Sequence, residues 1–243
     1  MKLLFVRHGE PDYDHDCLLP LGKQEAALVC DRLAGVDIDA FYVSPLGRAR
    51  ETAEPTLKRK GATAEVCDWL REFHAPIKRP DRNGELSIPW DWLPQDWTTV
   101  DEYYDPDKWY TTPLMREGQV EEEYHRVCSH FDQILAEFGY ERSGRLYLVR
   151  EPNTKTLCFF CHYGVTVVLL SHLLSVSPMP LWHGIMAAPA SVSELVTEER
   201  REGIASFRLS HYGDTSHLDA AGLAPNPNGL FTELYSDFSQ RHD

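Results

Sequence analysis

The sequence predicts an α/β protein: a three-layer α/β/α sandwich with a mostly parallel central sheet and an inserted cap region. Short apolar runs alternate with longer segments of helical periodicity, which is typical of strand–helix–strand units. One stretch, residues 74–118, interrupts this alternation. The chain has 243 residues and 42% hydrophobic content, enough for a substantial core. We therefore expect residues 1–243 to form a single domain.

The first quarter of the chain alternates between predicted strands and helices. The expected elements are a strand at 2–6, a helix at 21–33, a strand at 40–43, a helix at 46–60 and a strand at 64–67. For the second helix we expect Ser44 as the N-cap, Pro45 at the first position and Gly61 at the end. Pro55 falls inside that span and allows a kink or an early end.

Residues 74–118 are unusually aromatic and acidic. They hold four of the six tryptophans, and between Glu85 and Asp107 there are seven acidic residues and no Lys or Arg. This segment is too aromatic for a disordered linker, and its six prolines break any regular pattern. We expect an ordered insertion with short helical turns, which serves either as a structural cap or as a lid over a site.

The remainder of the chain returns to regular elements. We expect a helix at 119–138, strands at 146–149 and 157–161, a helix at 165–174 and a hairpin of strands 192–197 and 204–210. The tail after about Gly222 is rich in Pro and Asn and is expected to lie along the surface.

Charge and composition exclude several functional classes. With 24 Lys and Arg against 38 Asp and Glu, the net charge is −14, which argues against nucleic acid or an anionic membrane as partner. No apolar run approaches the roughly 20 residues that span a bilayer. The apolar run before Arg7 is too short for a secretory signal. We therefore expect a cytoplasmic protein whose six cysteines are reduced.

Basic residues occur at three predicted strand-to-helix junctions. Arg7 and His8 follow the first strand, Arg48 lies in the first turn after the second, and His162 follows the strand at 157–161. Ligands of open α/β sheets bind outside the carboxyl ends of the strands. Guanidinium groups and helix N-termini both suit a phosphate dianion, so the pattern indicates an anion site.

The motifs around these residues resemble those of the histidine phosphatase superfamily, with its phosphoglycerate mutase-like fold. The matching stretches, in the family's order, are LLFVRHGE (3–10), LPLGKQEA (19–26), SPLGRARETA (44–53), LREF (70–73), FFCHYGV (159–165) and, more weakly, GDTSHL (213–218). Together they extend over most of the chain. The ordered set is far more specific than the RHG tripeptide alone.

This resemblance implies a role for each matching residue. His8 would be the nucleophile that forms a phosphohistidine, and Arg7, Arg48 and His162 would surround the transferred phosphoryl group. Glu72 would be the general acid, whereas Glu10 is expected to be structural. Positioning and electrostatics carry such a reaction, so the resemblance implies no metal and no cofactor. The implied enzyme is a phosphoric monoester hydrolase of the histidine acid-base type, acting on a small phosphorylated metabolite.

The chain departs from the family pattern after its RHGE motif. Pro11 stands where Thr or Ser is common, and PDYDHDC replaces a Trp-Asn pair that is common in mutases. These departures favour a phosphatase, with water as acceptor. The alternatives are phosphoryl transfer of the phosphoglycerate mutase type, or a catalytically weak protein that binds a phosphorylated ligand. Neither the individual substrate nor the oligomeric state follows from the sequence.

Two further motifs suggest other chemistry. Cys158, Cys161 and His162 match the C-x-x-C-H pattern of haem c attachment. In an extended strand, however, residues three apart point to opposite faces, so the two cysteines would not present jointly to a porphyrin. His211 and His217 flank GDTS, but no second close pair completes a zinc ligand set. We expect neither haem nor zinc.

Overall fold

The computed structural model of the protein describes residues 1–227, 229–230 and 234–237. Its strands are β1 (Lys2–Arg7), β2 (Pro11–Asp12), β3 (Cys17–Leu18), β4 (Ala40–Val43), β5 (Glu65–Val66), β6 (Ile77–Lys78), β7 (Leu86–Ser87), β8 (Tyr140–Ser143), β9 (Leu146–Val149), β10 (Thr156–Cys161), β11 (Val192–Arg201) and β12 (Ile204–Asp214). Its α-helices are α1 (Pro20–Leu33), α2 (Gly47–Lys60), α3 (Pro94–Trp97), α4 (Pro113–Glu117), α5 (Val120–Glu137), α6 (Tyr163–Leu174), α7 (Pro178–Gly184) and α8 (Ser216–Ala220). Short 3-10 turns lie at Asp68–Leu70, Pro80–Arg82, Asp101–Tyr104 and Trp109–Thr111.

Eight of the strands form one sheet in the order β5-β4-β10-β1-β11-β12-β9-β8. Neighbouring strands are parallel from β5 to β1 and antiparallel from β1 to β8. Six of the eight strands run in one direction, because only β11 and β9 are reversed. The fold class predicted from the sequence is confirmed.

The central strands are apolar on both faces because helices cover both faces of the sheet. In β1, Leu3 and Phe5 belong to one hydrophobic cluster, whereas Leu4 and Val6 belong to a second. The first cluster also contains side chains of α5 and α6, and the second contains side chains of α1 and α2. Successive side chains of a strand point to opposite faces, so the two clusters are the two helix–sheet interfaces of the sandwich.

The start of α2 differs from the sequence prediction. The helix begins at Gly47 with Leu46 as its N-cap, so the assignments of Ser44 as N-cap and Pro45 as first helical residue are wrong. The Ser44 hydroxyl accepts a hydrogen bond from the Leu46 N–H at 3.2 Å and lies 2.7 Å from His162. It therefore bonds within the turn before α2 and to a histidine of the site, not to the first helical turn.

The end of α2 agrees with the prediction. The helix continues through Pro55 to Lys60, so the early end that Pro55 allowed is not observed. Gly61 terminates it with a left-handed φ of 60°, a conformation that glycine adopts without a steric penalty.

The short elements β2, β3, β8, α7 and α8 were not predicted, and one hairpin is longer than predicted. β8 is a short edge strand of mixed polarity, and α7 is a short helix whose N-cap, Ser177, accepts a hydrogen bond from the Met179 N–H at 3.2 Å. Neither is long enough to show a clear hydrophobic period. The hairpin of β11 and β12 extends through the charged EERREG stretch, because its strands project beyond the core and need no apolar residues there.

Residues 74–118 contain only short elements, as the prolines predicted. These are β6, β7, α3, α4 and three of the 3-10 turns. Trp92, Trp97 and Trp109 are buried in the same hydrophobic cluster as Phe5 and Phe159 of the central sheet. The segment is therefore packed directly onto one face of the sandwich.

The predicted surface tail is described only in part. Asn226 donates a hydrogen bond to Glu10 at 2.6 Å, which anchors the described start of the tail beside the first strand. The prediction for residues 228, 231–233 and 238–243 lies outside the described residues. In the described part of the chain, no helix combines the length and apolar composition needed to cross a membrane.

Candidate active site

Adjacent parallel strands bring the predicted basic residues to one edge of the sheet. Ser44, His8 and His162 are the first residues after the carboxyl ends of β4, β1 and β10. The His8 N–H donates to the Cys161 carbonyl at 3.0 Å, so the backbone of the two strands remains paired up to this point. The rings of His8 and His162 consequently lie 5.1 Å apart. This is the edge where open α/β sheets bind their ligands.

His8 is held in one orientation and one tautomer. Its Nδ1 lies 2.8 Å from the Gly9 carbonyl, which can only accept, so Nδ1 carries the proton and Nε2 carries the free lone pair. Only 2% of the residue is exposed. Burial, followed by the charges of Arg7 and Arg48, lowers the pKa of His8 to about 3. His8 is therefore a neutral base with one available nitrogen at neutral pH.

His162 is also buried and is held by Ser44. Its Nε2 lies 2.7 Å from the Ser44 hydroxyl, which already accepts a hydrogen bond from Leu46 N–H and can donate its own proton to Nε2. Its Nδ1 has no partner among the described residues. Burial, then the neighbouring His8 and the two arginines, lower the pKa of His162 well below its usual value. With Nε2 as acceptor, Nδ1–H is left as a donor for a ligand.

Arg7 is anchored at the same edge. One Nη1 hydrogen bond goes to the Ala187 carbonyl, and the guanidinium carbon lies 5.8 Å from the centre of the Tyr163 ring. The Nε of Arg7 is buried without a partner in the described part of the chain. This guanidinium thus retains hydrogen-bonding capacity beside His8.

Arg48 is held by a carboxylate that the sequence analysis did not single out. Its Nη1 donates to Asp16 at 2.6 Å, and the other oxygen of Asp16 accepts the Gly47 N–H at 2.7 Å. Tyr13 lies between Arg48 and His8, with its ring centre 5.3 Å from the Arg48 guanidinium and 6.4 Å from the centre of the His8 ring. Both residues belong to the PDYDHDC stretch, whose departure from the family pattern was the only sequence signal for them.

Glu72 lies against the N-terminus of α6, the helix that begins immediately after His162. Its carboxylate accepts hydrogen bonds from the N–H groups of Phe73 at 2.8 Å, Gly164 at 3.2 Å and Val165 at 3.0 Å. Burial raises the pKa of Glu72, although these three hydrogen bonds and Arg7 act in the opposite direction. The carboxyl group is thus tied to the helix that His162 caps, with a pKa shifted towards the proton-holding form.

Glu10, two residues after His8, is hydrogen-bonded to α1 and to the C-terminal tail. Its N–H donates to the carboxylate of Glu25 at 2.6 Å, and its own carboxylate accepts the Asn226 amide. Burial raises the pKa of Glu10, while the Asn226 hydrogen bond opposes that shift. These contacts connect β1, α1 and the tail, and agree with the structural role expected for Glu10.

A family comparison is consistent with this arrangement. Residues 3–210 match the model of the histidine phosphatase superfamily, branch 1. The chain belongs to this superfamily. A probable phosphatase of Schizosaccharomyces pombe is 24% identical to the chain over 236 residues, with 90% of the chain and 96% of the relative covered.

Solved structures of the histidine phosphatase type share the fold. A mycobacterial glucosyl-3-phosphoglycerate phosphatase matches with a TM-score of 0.58 and 21% identity, covering 88% of this chain and 99% of that one. A phosphoserine phosphatase of Entamoeba histolytica, solved in complex with 3-phosphoglyceric acid, matches with a TM-score of 0.56 and 18% identity, covering 89% and 98%. At these identities the similarity establishes the common fold.

The haem and zinc motifs have structural explanations. Cys158 and Cys161 are fully buried and belong to the two different hydrophobic clusters, so their side chains lie on opposite faces of β10 as predicted. His217 bonds to the Ala190 carbonyl at 3.1 Å, and His211 is exposed. Across residues 1–227 and the described parts of the tail, no cluster of three or more His, Cys, Asp or Glu is arranged to hold a metal ion.

Proposed function

We propose that this histidine phosphatase hydrolyses a small phosphomonoester, without a metal, through a phosphohistidine on His8. The observation that carries the proposal is the state of His8: neutral, with Nδ1 bonded to a carbonyl and Nε2 free. Two arginines and His162 surround it at the edge of the sheet. A neutral imidazole with a fixed ring is a competent nucleophile, and the guanidinium groups supply the positive charge that phosphoryl transfer requires.

In the first step, Nε2 of His8 attacks phosphorus and the bond from phosphorus to the alcohol oxygen breaks. The Glu72 carboxyl gives its proton to that oxygen, so the product leaves as a neutral alcohol. Arg7, Arg48 and the Nδ1–H of His162 stabilise the charge on the equatorial phosphoryl oxygens. In the second step the Glu72 carboxylate takes a proton from water, the water attacks phosphorus, and inorganic phosphate leaves with His8 regenerated.

The relatives support a small-molecule substrate. They include a glucosyl-3-phosphoglycerate phosphatase and a phosphoserine phosphatase, whose named substrates are both small phosphate esters. The acidic net charge of −14 is unsuited to polyanionic partners, whereas the phosphate site itself is locally basic. We infer a small phosphorylated metabolite as substrate and a cytoplasmic location, in keeping with six cysteines that are all free thiols.

A labelling experiment tests this function. The protein, incubated with p-nitrophenyl phosphate in EDTA, should release phosphate and yield an acid-labile, base-stable phosphoenzyme on rapid quenching. His8→Ala should abolish both, and Arg7→Ala or Arg48→Ala should lower kcat/KM by on the order of 10²–10³. His15→Ala, at an exposed histidine of the nearby β2–β3 hairpin, is the matched control and should retain full activity.

The outcomes separate the alternatives. Full activity of His8→Ala would refute the proposal. Transfer of the phosphoryl group to a second metabolite in place of release to water would identify a mutase. Phosphate binding without phosphoenzyme or turnover would identify a protein that only binds phosphorylated ligands.

A further inference from the structure

We infer that a groove under residues 74–118 binds the alcohol part of the substrate and selects hydroxyl-rich esters, of the polyol or glycosyl class. This cap groove is lined by Arg79, Trp90, Asp91, Trp97, Trp182 and His183. The inference deepens the proposed phosphatase function and rests on it. It comes from polar groups in the groove that have no hydrogen-bond partner among the described residues.

The cap groove leads away from the phosphate site. A cavity of about 470 Å³ lies over Arg7 and Tyr13, and a second cavity of about 840 Å³ reaches Arg79 and Trp97. The two cavities share Asp91, Trp182, His183, Gly229 and Leu230 in their walls, so they lie next to each other. An ester with its phosphoryl group at His8 would therefore extend its alcohol part into the groove.

The walls of the groove are rigid aromatic surfaces. The indole N–H groups of Trp90, Trp92 and Trp182 donate to backbone carbonyls at 3.2, 3.0 and 3.1 Å, which fixes these rings in place. The C–H face of a sugar or polyol, being slightly positive, packs favourably on the negative face of an aromatic ring. A fixed aromatic wall therefore suits such a ligand without further ordering of side chains.

The groove also contains polar groups that its own residues do not satisfy. Arg79 is only 3% exposed, and its Nε and Nη2 bond to Asp81, but its Nη1 has no hydrogen-bond partner among the described residues. The Nε1–H of Trp97, also buried, likewise has no partner there. Asp91, with a side chain 55% exposed, lies 3.8 Å from Arg79 Nη1, too far for a hydrogen bond.

The chemistry of these groups excludes other ligand classes. A second anionic group would meet three carboxylates (Asp81, Glu85 and Asp91) against two guanidiniums (Arg79 and Arg82), a formal balance of −1. An ammonium group can pair with Asp91 but only donates, so it would leave the Arg79 and Trp97 donors without an acceptor, and an alkyl chain would leave all three groups unsatisfied. A hydroxyl group both donates to Asp91 and accepts from Arg79 or Trp97, so several hydroxyls satisfy all three.

The test compares two esters of equal length, sorbitol 6-phosphate and hexyl phosphate. Their binding is measured by calorimetry to the His8→Ala protein, so that turnover does not interfere. We expect the polyol ester to bind at least about tenfold tighter. In the His8→Ala protein, a second substitution, Asp91→Ala or Trp97→Phe, should reduce the preference for the polyol ester by about fivefold or more. Asp101→Ala removes an exposed acid of the same segment that does not line the groove, and should leave the preference unchanged.

The outcomes test the groove assignment separately from the proposed phosphatase function. Equal binding of the two esters, or equal effects of Asp91→Ala and Asp101→Ala, would overturn the inference. Hydrolysis of p-nitrophenyl phosphate by the unmodified protein reports on the proposed function alone. Turnover without a polyol preference refutes only the groove assignment. A polyol preference without turnover refutes only the phosphatase function.

Discussion

The chemistry of the site depends on keeping two buried histidines neutral. His8 and His162 sit beside Arg7 and Arg48, and burial together with these charges disfavours the imidazolium form. One carbonyl selects the tautomer of His8, and the Ser44 hydroxyl is placed to select that of His162. The surroundings of His8 thus set the protonation state that the proposed nucleophile needs, and the same surroundings affect the stability of the protein.

The first prediction concerns stability in acid. The pKa of His8 is about 3 in the folded state against 6.5 when unfolded, so the unfolded chain binds the proton first as pH falls. The stabilisation is complete above the unfolded value and is lost as pH falls from about 6.5 towards 3. Between pH 7 and 5 we expect His8 alone to lower the unfolding free energy by about 2 kcal/mol, measured by urea denaturation. His8→Asn should show a correspondingly smaller loss, and parallel curves for His8→Asn and the unmodified protein would contradict the prediction.

The second prediction concerns Glu72 as proton donor. Because burial raises its pKa, more of the carboxyl holds its proton near neutral pH than an exposed glutamate would. Glu72→Gln should slow formation of the phosphoenzyme from an alkyl phosphate by on the order of 10²–10⁴. The loss should be much smaller with p-nitrophenyl phosphate, whose leaving group needs no proton. Rapid-quench kinetics measure both, and equal losses would show that Glu72 does not act as the acid.

Among the elements, α6 connects the two parts of the site. Its N-cap is His162, and the Gly164 and Val165 N–H groups in its first turn bond to the Glu72 carboxylate. Unpaired N–H groups and the positive end of the helix dipole both favour a carboxylate there. Glycine at position 164 leaves room for this arrangement, because a Cβ would lie 2.7 Å from Glu72 Oε1 and 2.8 Å from the Trp90 indole nitrogen.

The third prediction follows from this close approach. In Gly164→Ala the added methyl group must displace Glu72 or Trp90, which moves the carboxyl away from the helix. We expect kcat for an alkyl phosphate to fall by about tenfold or more, since small displacements of a catalytic group have large effects on rate. Gly35→Ala, where a Cβ would meet nothing within 4 Å, is the matched control and should leave kcat unchanged. An unaltered kcat in Gly164→Ala would show that the position of Glu72 does not limit the reaction.

In the whole molecule, residues 74–118 and the sandwich share one hydrophobic core. Trp109 is fully buried, and its ring lies 5.4 Å from Trp182 and 5.3 Å from Tyr124 of α5. Because the contacts extend from the inserted segment to the helices on the sheet, we expect the two parts to unfold together. The aromatic walls of the cap groove then owe their rigidity to the core of the domain.

The fourth prediction tests this shared core. Trp109→Ala removes a large, fully buried side chain and should destabilise the protein by about 3–5 kcal/mol. Tyr104→Ala, at a partly exposed aromatic of the same segment, should have a smaller effect. Urea unfolding followed by far-UV circular dichroism and by tryptophan fluorescence should give coincident curves. An early fluorescence transition would instead show that residues 74–118 form a separate unit.

The regular elements and the basic residues were predictable because local patterns encode them. The strands β1, β4 and β10 are mainly apolar runs. Arg7 and His162 occupy recognisable positions at strand ends, and Arg48 lies in the first turn of the helix after β4. The Ser44 assignment failed because a serine before a helix can bond either to the first helical turn or to a neighbour across the sheet. Sequence spacing does not distinguish these two choices.

The sequence alone established the family, the α/β sandwich and the residues around His8, since these depend on local periodicity and on ordered motifs. The fold was needed to show which groups lie beside them. Asp16 bonds to Arg48, Glu72 bonds to the N-terminus of α6, and the cap groove holds donors that no described residue satisfies. These contacts join residues up to 93 positions apart. Such pairings arise from the packing of distant segments, and burial and charge at each of them then determine the protonation state and the ligand chemistry.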